Sequence, residues 1–276
     1  MQIRYIQAGG VRTRVCEIGS GTPLMLLHPI GFSADVWLHN FTALGAQASV
    51  CAPDLLGHGY TDFHDAQGRL YIGAMLEHLT DLCDTLGWDH FDLIGSSFGA
   101  QLAALMALRM PHRVRRLVIV GSATTVQTPE EVSATLRRTL ANGGSAFDKP
   151  TWESCQQRLA NLCYSDHVDG SELMLSQLTA YAREGAADAY KALLSSLLNP
   201  ATSEPFYVYD KLGHIEAATL LIWGKQDPRA SYERAREAVT TFRKAQLEAL
   251  DECGHLPFLE HPRRFNELVC QFLAKA

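Results

Sequence analysis

The sequence predicts an α/β fold in which a mostly parallel central sheet carries helices on both faces and an inserted helical cap. Three observations point there. Apolar runs suited to strands alternate with stretches of helical period; the alternation lapses between Gly121 and Ala217 into helical spacing alone; and a Gly-x-Ser-x-Gly turn joins a predicted strand to a predicted helix. Buried strands alternating with helices imply crossover connections, which make the sheet parallel and cover both of its faces.

The opening segments, Ile3 to Gln7 and Val11 to Ile18 around Gly9-Gly10, read as an antiparallel hairpin at the sheet edge. Further strands are expected at Leu24 to Leu27, Ser49 to Ala52, Phe91 to Ile94, Leu117 to Val120, Thr219 to Trp223 and Gln246 to Leu250. Between them, Ile72, Met75, Leu76, Leu79, Leu82 and Leu86 fall on one helical face, as do Leu102, Leu105, Met106 and Met110. Residues 1–124 and 210–276 are therefore assigned to the core and 125–209 to the cap. Cap helices are expected near Glu130 to Leu140, Trp152 to Leu162, Ser171 to Arg183 and Ala186 to Leu197, with turns at Asn142-Gly143-Gly144, Asp169-Gly170 and Asn199-Pro200. Pro262 to Leu273 reads as a closing amphipathic helix.

With 276 residues, the chain suits one large domain with an insertion. A net charge of −6, with Lys and Arg scattered, offers no basic field for nucleic acid or anionic lipid. The first residues lack the charged start and apolar stretch of a secretory signal, and no apolar run approaches the roughly 20 residues of a membrane span. The expected location is cytoplasmic and the expected partner a small-molecule substrate, with a homodimer left open. Seven cysteines at irregular spacing without CxxC indicate neither a disulfide framework nor a zinc site. They read as small core residues, Cys253 included.

The Gly-x-Ser-x-Gly turn is Gly95-Ser96-Ser97-Phe98-Gly99. A serine there takes a strained backbone that lifts its hydroxyl above the sheet, and the following helix start aims unpaired N–H groups at the same point. Ser96 is the local rival, but only Ser97 has glycine at minus two and plus two. A serine hydroxyl needs a neighbouring base. Of eleven histidines, His255 alone follows the last predicted strand in a loop at the carboxyl edge, whereas His39, His64, His78, His90, His112, His167, His214 and His261 read as surface-loop residues. Asp227 follows a strongly apolar strand to the same edge and suits the carboxylate that orients an imidazole; a turn aspartate before Pro228 is the competing reading. The order serine, aspartate, histidine favours the catalytic one. After Leu24 to Leu27, the loop His28-Pro29-Ile30-Gly31 can supply an oxyanion donor. Proline has no N–H, so the expected donors are the backbone N–H groups of Ile30 and Phe98, with His28 as a structural residue.

Together these segments resemble the α/β-hydrolase superfamily across the chain except the cap. His28-Pro29-Ile30-Gly31 looks like its oxyanion loop, Asp54-Leu55-Leu56-Gly57-His58-Gly59-Tyr60-Thr61 like its Asp-x-x-Gly-x-Gly-x-Ser turn, and Gly95 to Gly99 like its nucleophile elbow. Gly224-Lys225-Gln226-Asp227 and Gly254-His255-Leu256-Pro257-Phe258-Leu259-Glu260-His261-Pro262 complete the set. Two departures stand out: Pro29 replaces the usual glycine and Thr61 the common serine. The resemblance implies the α/β-hydrolase fold and a cofactor-independent, metal-free serine hydrolase with Ser97, Asp227 and His255 as its triad. Serine at 97 argues against haloalkane dehalogenases and epoxide hydrolases. Hydrolysis of a carboxylic ester or lactone through an acyl-enzyme is expected first. Carbon–carbon bond hydrolysis of ring-fission dienone acids comes second, because those enzymes typically carry tryptophan where this chain has Leu256 and a glycine-richer oxyanion loop. A non-hydrolytic receptor, lyase or cyclase is the third reading. Substrate choice is expected from Trp152, Arg158, Tyr181, Arg183 and Tyr190 of the cap and from Leu256, and an inward arginine would imply a substrate carboxylate.

Overall fold

The computed structural model describes residues 1–164 and 170–275. Among them, β1 (Gln2–Ala8), β2 (Val11–Ile18), β3 (Pro23–Leu27), β4 (Ser49–Pro53), β5 (Phe91–Ser96), β6 (Val114–Val120), β7 (Ala218–Gly224) and β8 (Ala245–Leu250) form one sheet. The strand order is β1-β2-β4-β3-β5-β6-β7-β8. The β1–β2 and β2–β4 pairs are antiparallel and the rest parallel. The opening hairpin and the parallel remainder thus stand where the sequence puts them.

Register explains the double-sided core. Met25 aligns with Leu93, and Leu93 with Leu117; one residue on, Leu26 aligns with Ile94, Ile94 with Val118 and Val118 with Leu220. Because side chains alternate across a strand, the first row faces one hydrophobic cluster and the second row the other. Each fully buried aliphatic side chain contributes about 1.5–3 kcal/mol. Helices α1 (Ile72–Thr85) and α2 (Phe98–Arg109) cover the first face, α1 through Ile72, Met75, Leu76, Leu79 and Leu82. The closing amphipathic helix covers the second with Phe265, Leu268, Val269 and Phe272.

Between β6 and β7 the longer helices are α3 (Pro129–Asp148), α4 (Trp152–Ala160), α5 (Ser171–Tyr181) and α6 (Ala186–Leu198). A reciprocal capping box starts α3: Thr128 accepts from the N–H of Glu131, whose carboxylate accepts from the N–H of Thr128. Contrary to expectation, Asn142-Gly143-Gly144 is no turn but part of α3. Gly143 is there for proximity: a Cβ on it would stand 2.0 Å from Tyr190 Oη and 2.3 Å from Arg158 Nη1. Asp169 of the next expected turn, and His167, lie outside the described residues. His78 is not a surface histidine; it is buried on α1, 2.6 Å from Thr13 Oγ1. No helix among the described residues is long and apolar enough to cross a membrane.

Candidate active site

The chain leaves β5 through Ser97, held at φ 53°, ψ −117°, and enters α2 at Phe98. Ser97 and Glu252 are the only non-glycine residues with positive φ among those described, and they lie in the turns that precede α2 and His255. Strain of this kind persists where surrounding structure enforces it. Here the N–H of Ser97 donates to Val120 O at 2.8 Å, and Ser122 Oγ donates to Ser97 O at 2.7 Å. The flanking glycines are steric necessities: a Cβ on Gly95 would lie 2.4 Å from Gly99 O, and one on Gly99 2.3 Å from Leu27 O.

Asp227 lies just past β7, its side chain fully buried. Its Oδ1 accepts from the N–H groups of Arg229 at 2.7 Å and Ala230 at 2.9 Å. Its Oδ2 stands 2.9 Å from His255 Nδ1, and Oδ1 3.0 Å from the same nitrogen. An ionised carboxylate only accepts, so this contact puts the ring proton on Nδ1 and leaves Nε2 with a lone pair. The backbone closes tightly around the pair. Gly121, ending β6 at φ +47°, would place a Cβ 3.1 Å from Asp227 Oδ2 and 3.4 Å from His255 Nδ1. His255 N–H donates to Leu162 O at 2.8 Å, tying the histidine loop to the helical insertion. Glu260 clamps that loop by accepting from the N–H groups of Gly254 at 2.9 Å, Leu256 at 3.0 Å and Tyr164 at 2.7 Å. Neither Gly121 nor Glu260 received a role from sequence reasoning. A glycine ending an apolar strand, and a glutamate five residues after the histidine, were the available signals.

Three successive carbonyls of the loop after β3 are each held by a side chain. His28 Nδ1 donates to Pro29 O at 2.8 Å, Arg158 Nη2 to Ile30 O at 2.9 Å and Tyr181 Oη to Gly31 O at 2.6 Å. His28 also accepts from Leu55 N–H through Nε2 at 2.9 Å. Its burial, with His58 alongside, depresses its pKa well below the usual imidazole value. These three bonds fix the course of the loop, whose Ile30 lines the cavity together with Phe98; the N–H of Phe98, first in α2, has no intrahelical acceptor. The Thr61 departure is neutral in bonding: its hydroxyl donates to Asp54 O and accepts from Arg14 N–H, as a serine hydroxyl can.

One cavity collects Ile30, Ser97, Phe98 and His255. The helical insertion contributes Thr135, Leu136, Thr139 and Asn142 of α3 and Arg158 of α4, and the acid loop contributes Arg229. Among the expected substrate-binding residues, only Arg158 lines it. Trp152 is 39% exposed at the start of α4, since the inward face of that helix is taken by Cys155, Arg158 and Leu159. Tyr181 is spent on Gly31 O, and Tyr190 donates to Thr139 O at 3.0 Å while stacking on Phe147 with centroids 4.2 Å apart. Arg183 reaches the carbonyls of Gly59 and Thr61 and packs over Phe63. Leu256 is fully buried in the hydrophobic cluster on the second sheet face. Burial and the nearby Glu260 carboxylate push the Cys253 thiol pKa upward, so no reactive thiolate adjoins the histidine. No group of three or more His, Cys, Asp or Glu side chains that could hold a metal occurs among the described residues.

A family model described as alpha/beta hydrolase fold matches residues 22–262. The 2-hydroxymuconate semialdehyde hydrolase of Pseudomonas sp. (strain CF600) is 30% identical over 285 aligned residues, covering 99% of this chain and 94% of that protein. The 2-hydroxy-6-oxononadienedioate/2-hydroxy-6-oxononatrienedioate hydrolase of Burkholderia vietnamiensis (strain G4) is 29% identical, over 96% of this chain and 92% of its own length. Among solved structures, a variant of the meta-cleavage product hydrolase CumD from Pseudomonas fluorescens IP01 superimposes with a TM-score of 0.81 at 26% identity, covering 98% of this chain and 97% of that one. These relatives overturn the expectation that ester or lactone hydrolysis comes first, because they are named for ring-fission products. Leu256 had argued the other way; it is fully buried in the second hydrophobic cluster and is not part of the cavity lining. The family match and the full-length relatives show that the chain belongs to the α/β-hydrolase fold family and is a hydrolase.

Proposed function

We propose that the protein hydrolyses a carbon–carbon bond in a ring-fission dienone acid, with 1–124 and 210–276 as its catalytic core and 125–209 as the cap above it. The observation that carries this reading is the resemblance over 96–99% of the chain, insertion included, to hydrolases named for such acids. Arg158, buried and lining the cavity, supports it, since a dienone acid brings a carboxylate.

In this reading Ser97 is the nucleophile, His255 the general base and acid, and Asp227 the group that fixes the imidazole tautomer. Expelling carbon is harder than expelling an alkoxide, because the departing atom must carry an electron pair. A dienone acid meets that demand once its enol proton has moved to carbon, for the departing carbon is then conjugated to a ketone oxygen that takes up the charge. Ser97 attacks the remote carbonyl while His255 takes its proton. The N–H groups of Ile30 and Phe98 stabilise the tetrahedral oxyanion, each by about 3 kcal/mol. As the carbon–carbon bond breaks, His255 returns the proton to the departing carbon. Water activated by the same imidazole then releases the acyl half as a carboxylic acid. The sum is one water consumed, its hydrogen on one fragment and its hydroxyl on the other.

The test is turnover of a dienone acid, followed by loss of its long-wavelength absorbance, beside p-nitrophenyl esters and lactones. The reading requires dienone acids to give the highest kcat/KM and Ser97→Ala to abolish their turnover. Efficient ester cleavage with inert dienone acids would refute it.

A further inference from the structure

The loop after β3 turns on four residues, Pro29 to Phe32. Phe32 N–H donates to Pro29 O at 3.2 Å, Gly31 stands at φ +72°, and Ile30 is not among the non-glycine residues with positive φ. That combination defines a type II turn with Ile30 and Gly31 at its centre. A type II turn becomes type I when its central peptide rotates by roughly half a turn, the dihedrals on its two sides changing in opposite senses while the ends stay put. Glycine at the second central position tolerates both forms. The central carbonyl, here Ile30 O, then points to the opposite side of the loop.

Side chains anchor the peptides before and after the central one: His28 holds Pro29 O, and Tyr181 holds Gly31 O. Among the described residues the central peptide is held by Arg158 alone, whose Nη2 donates to Ile30 O at 2.9 Å. Gly31 makes room for this contact, since a Cβ there would lie 2.5 Å from the same Nη2. The guanidinium carbon also stands 5.0 Å from the ring centroid of Phe32, the last residue of the turn. In the reversed turn Gly31 N–H would face the guanidinium, donor against donor. With the guanidinium removed, Ile30 O would remain a buried acceptor without a donor, which favours reversal.

We propose that Arg158 is a positioning residue for the reaction at Ser97: it locks the turn in its type II form and so fixes the peptide dipole next to Ile30 N–H, the oxyanion donor of the proposed mechanism. The proposal rests on that serine mechanism, whichever bond is cleaved, and gives Arg158 a role apart from its charge toward a substrate carboxylate. Reversal would exchange Ile30 O and Gly31 N–H, the negative and positive ends of a dipole of about 3.5 D. Ile30 and Ser97 line the same cavity, so the exchange happens beside the developing oxyanion.

The test uses an uncharged reagent, so that attraction between Arg158 and a substrate carboxylate plays no part. Diethyl p-nitrophenyl phosphate transfers its phosphoryl group to a reactive serine and releases p-nitrophenolate, which is followed by absorbance. Failure to label, or labelling that survives Ser97→Ala, would sink the serine assignment, a result separate from those that judge Arg158. With Ser97 intact, Arg158→Met should lower the second-order rate constant about tenfold, the cost of one buried acceptor left without a donor. Arg158→Lys can still donate to Ile30 O and should stay within about threefold of the parent. A crystal structure of Arg158→Met should show Gly31 at negative φ, and one of Arg158→Lys should keep it positive; Arg158→Gln serves the same comparison if the methionine protein does not fold. A methionine variant as fast as the parent, an equal loss in the lysine variant, or Gly31 still at positive φ without the guanidinium would overturn the proposal.

Discussion

In Asp227→Asn one carboxylate oxygen becomes an amide NH2, and the surrounding bonds decide which. Oδ1 accepts from Arg229 N–H at 2.7 Å and Ala230 N–H at 2.9 Å, so the amide keeps its oxygen there. Its NH2 then occupies the Oδ2 position, 2.9 Å from His255 Nδ1. A donor facing Nδ1 demands a lone pair on that nitrogen, which moves the ring proton to Nε2, where the lone pair for Ser97 is needed. The wrong tautomer costs about 10⁴ in kcat in an analogous triad, or about 5.5 kcal/mol of barrier. Side-chain volume is unchanged and both backbone bonds survive, so the melting temperature should move by no more than about 4 °C, the shift expected for 1 kcal/mol in a domain of this size. Steady-state turnover of a dienone acid gives the rate, and fluorophosphonate labelling of Ser97 should slow in parallel because both need the serine proton removed. A loss in kcat smaller than about tenfold in a normally melting protein would refute the role given to Asp227.

Two further outcomes follow from packing and from burial. Gly143→Ala would help a glycine that was merely helical, by about 1 kcal/mol, but here the Cβ meets Tyr190 Oη at 2.0 Å and Arg158 Nη1 at 2.3 Å. Overpacking should destabilise by about 2 kcal/mol and raise KM as Arg158 shifts; a higher melting temperature with unchanged KM would contradict this. Burial lowers the pKa of both His58 and His78 to about 4. Below an unfolded value near 6.5 the denatured chain binds protons that the folded one refuses, so stability is fully present above that pH and is lost as pH falls toward 4, by about 3 kcal/mol per histidine. Thermal melts between pH 7 and pH 4.5 should show a steep fall, and a flat profile would exclude it.

What the sequence disclosed and what it hid divide along physical lines. Gly95 and Gly99 stand where any Cβ would strike backbone within about 2.4 Å, so the elbow had to be spelled in those letters and Ser97 could be found by reading. Asp227 and His255 were legible because each lies in the loop that follows a strand, β7 and β8, and parallel strands deliver their carboxyl ends to one edge. Side chains of the inserted helices have no such constraint. Arg158 and Tyr181 both reach the loop after β3, yet one lines the cavity and the other is used up on a carbonyl, a difference set by helix packing that no local pattern encodes. Gly143 misled because glycine serves both turns and close approaches, and only the partner helices reveal which. Arg229 escaped notice because an arginine beside a proline in a loop normally points into water. The error about substrate has a related origin: the serine turn and the Asp227–His255 pair carry no mark of the group to be expelled, and much of the remaining cavity lining, Thr135, Leu136, Thr139, Asn142, Arg158 and Arg229, comes from segments distant in sequence from them or from a loop with no pattern of its own.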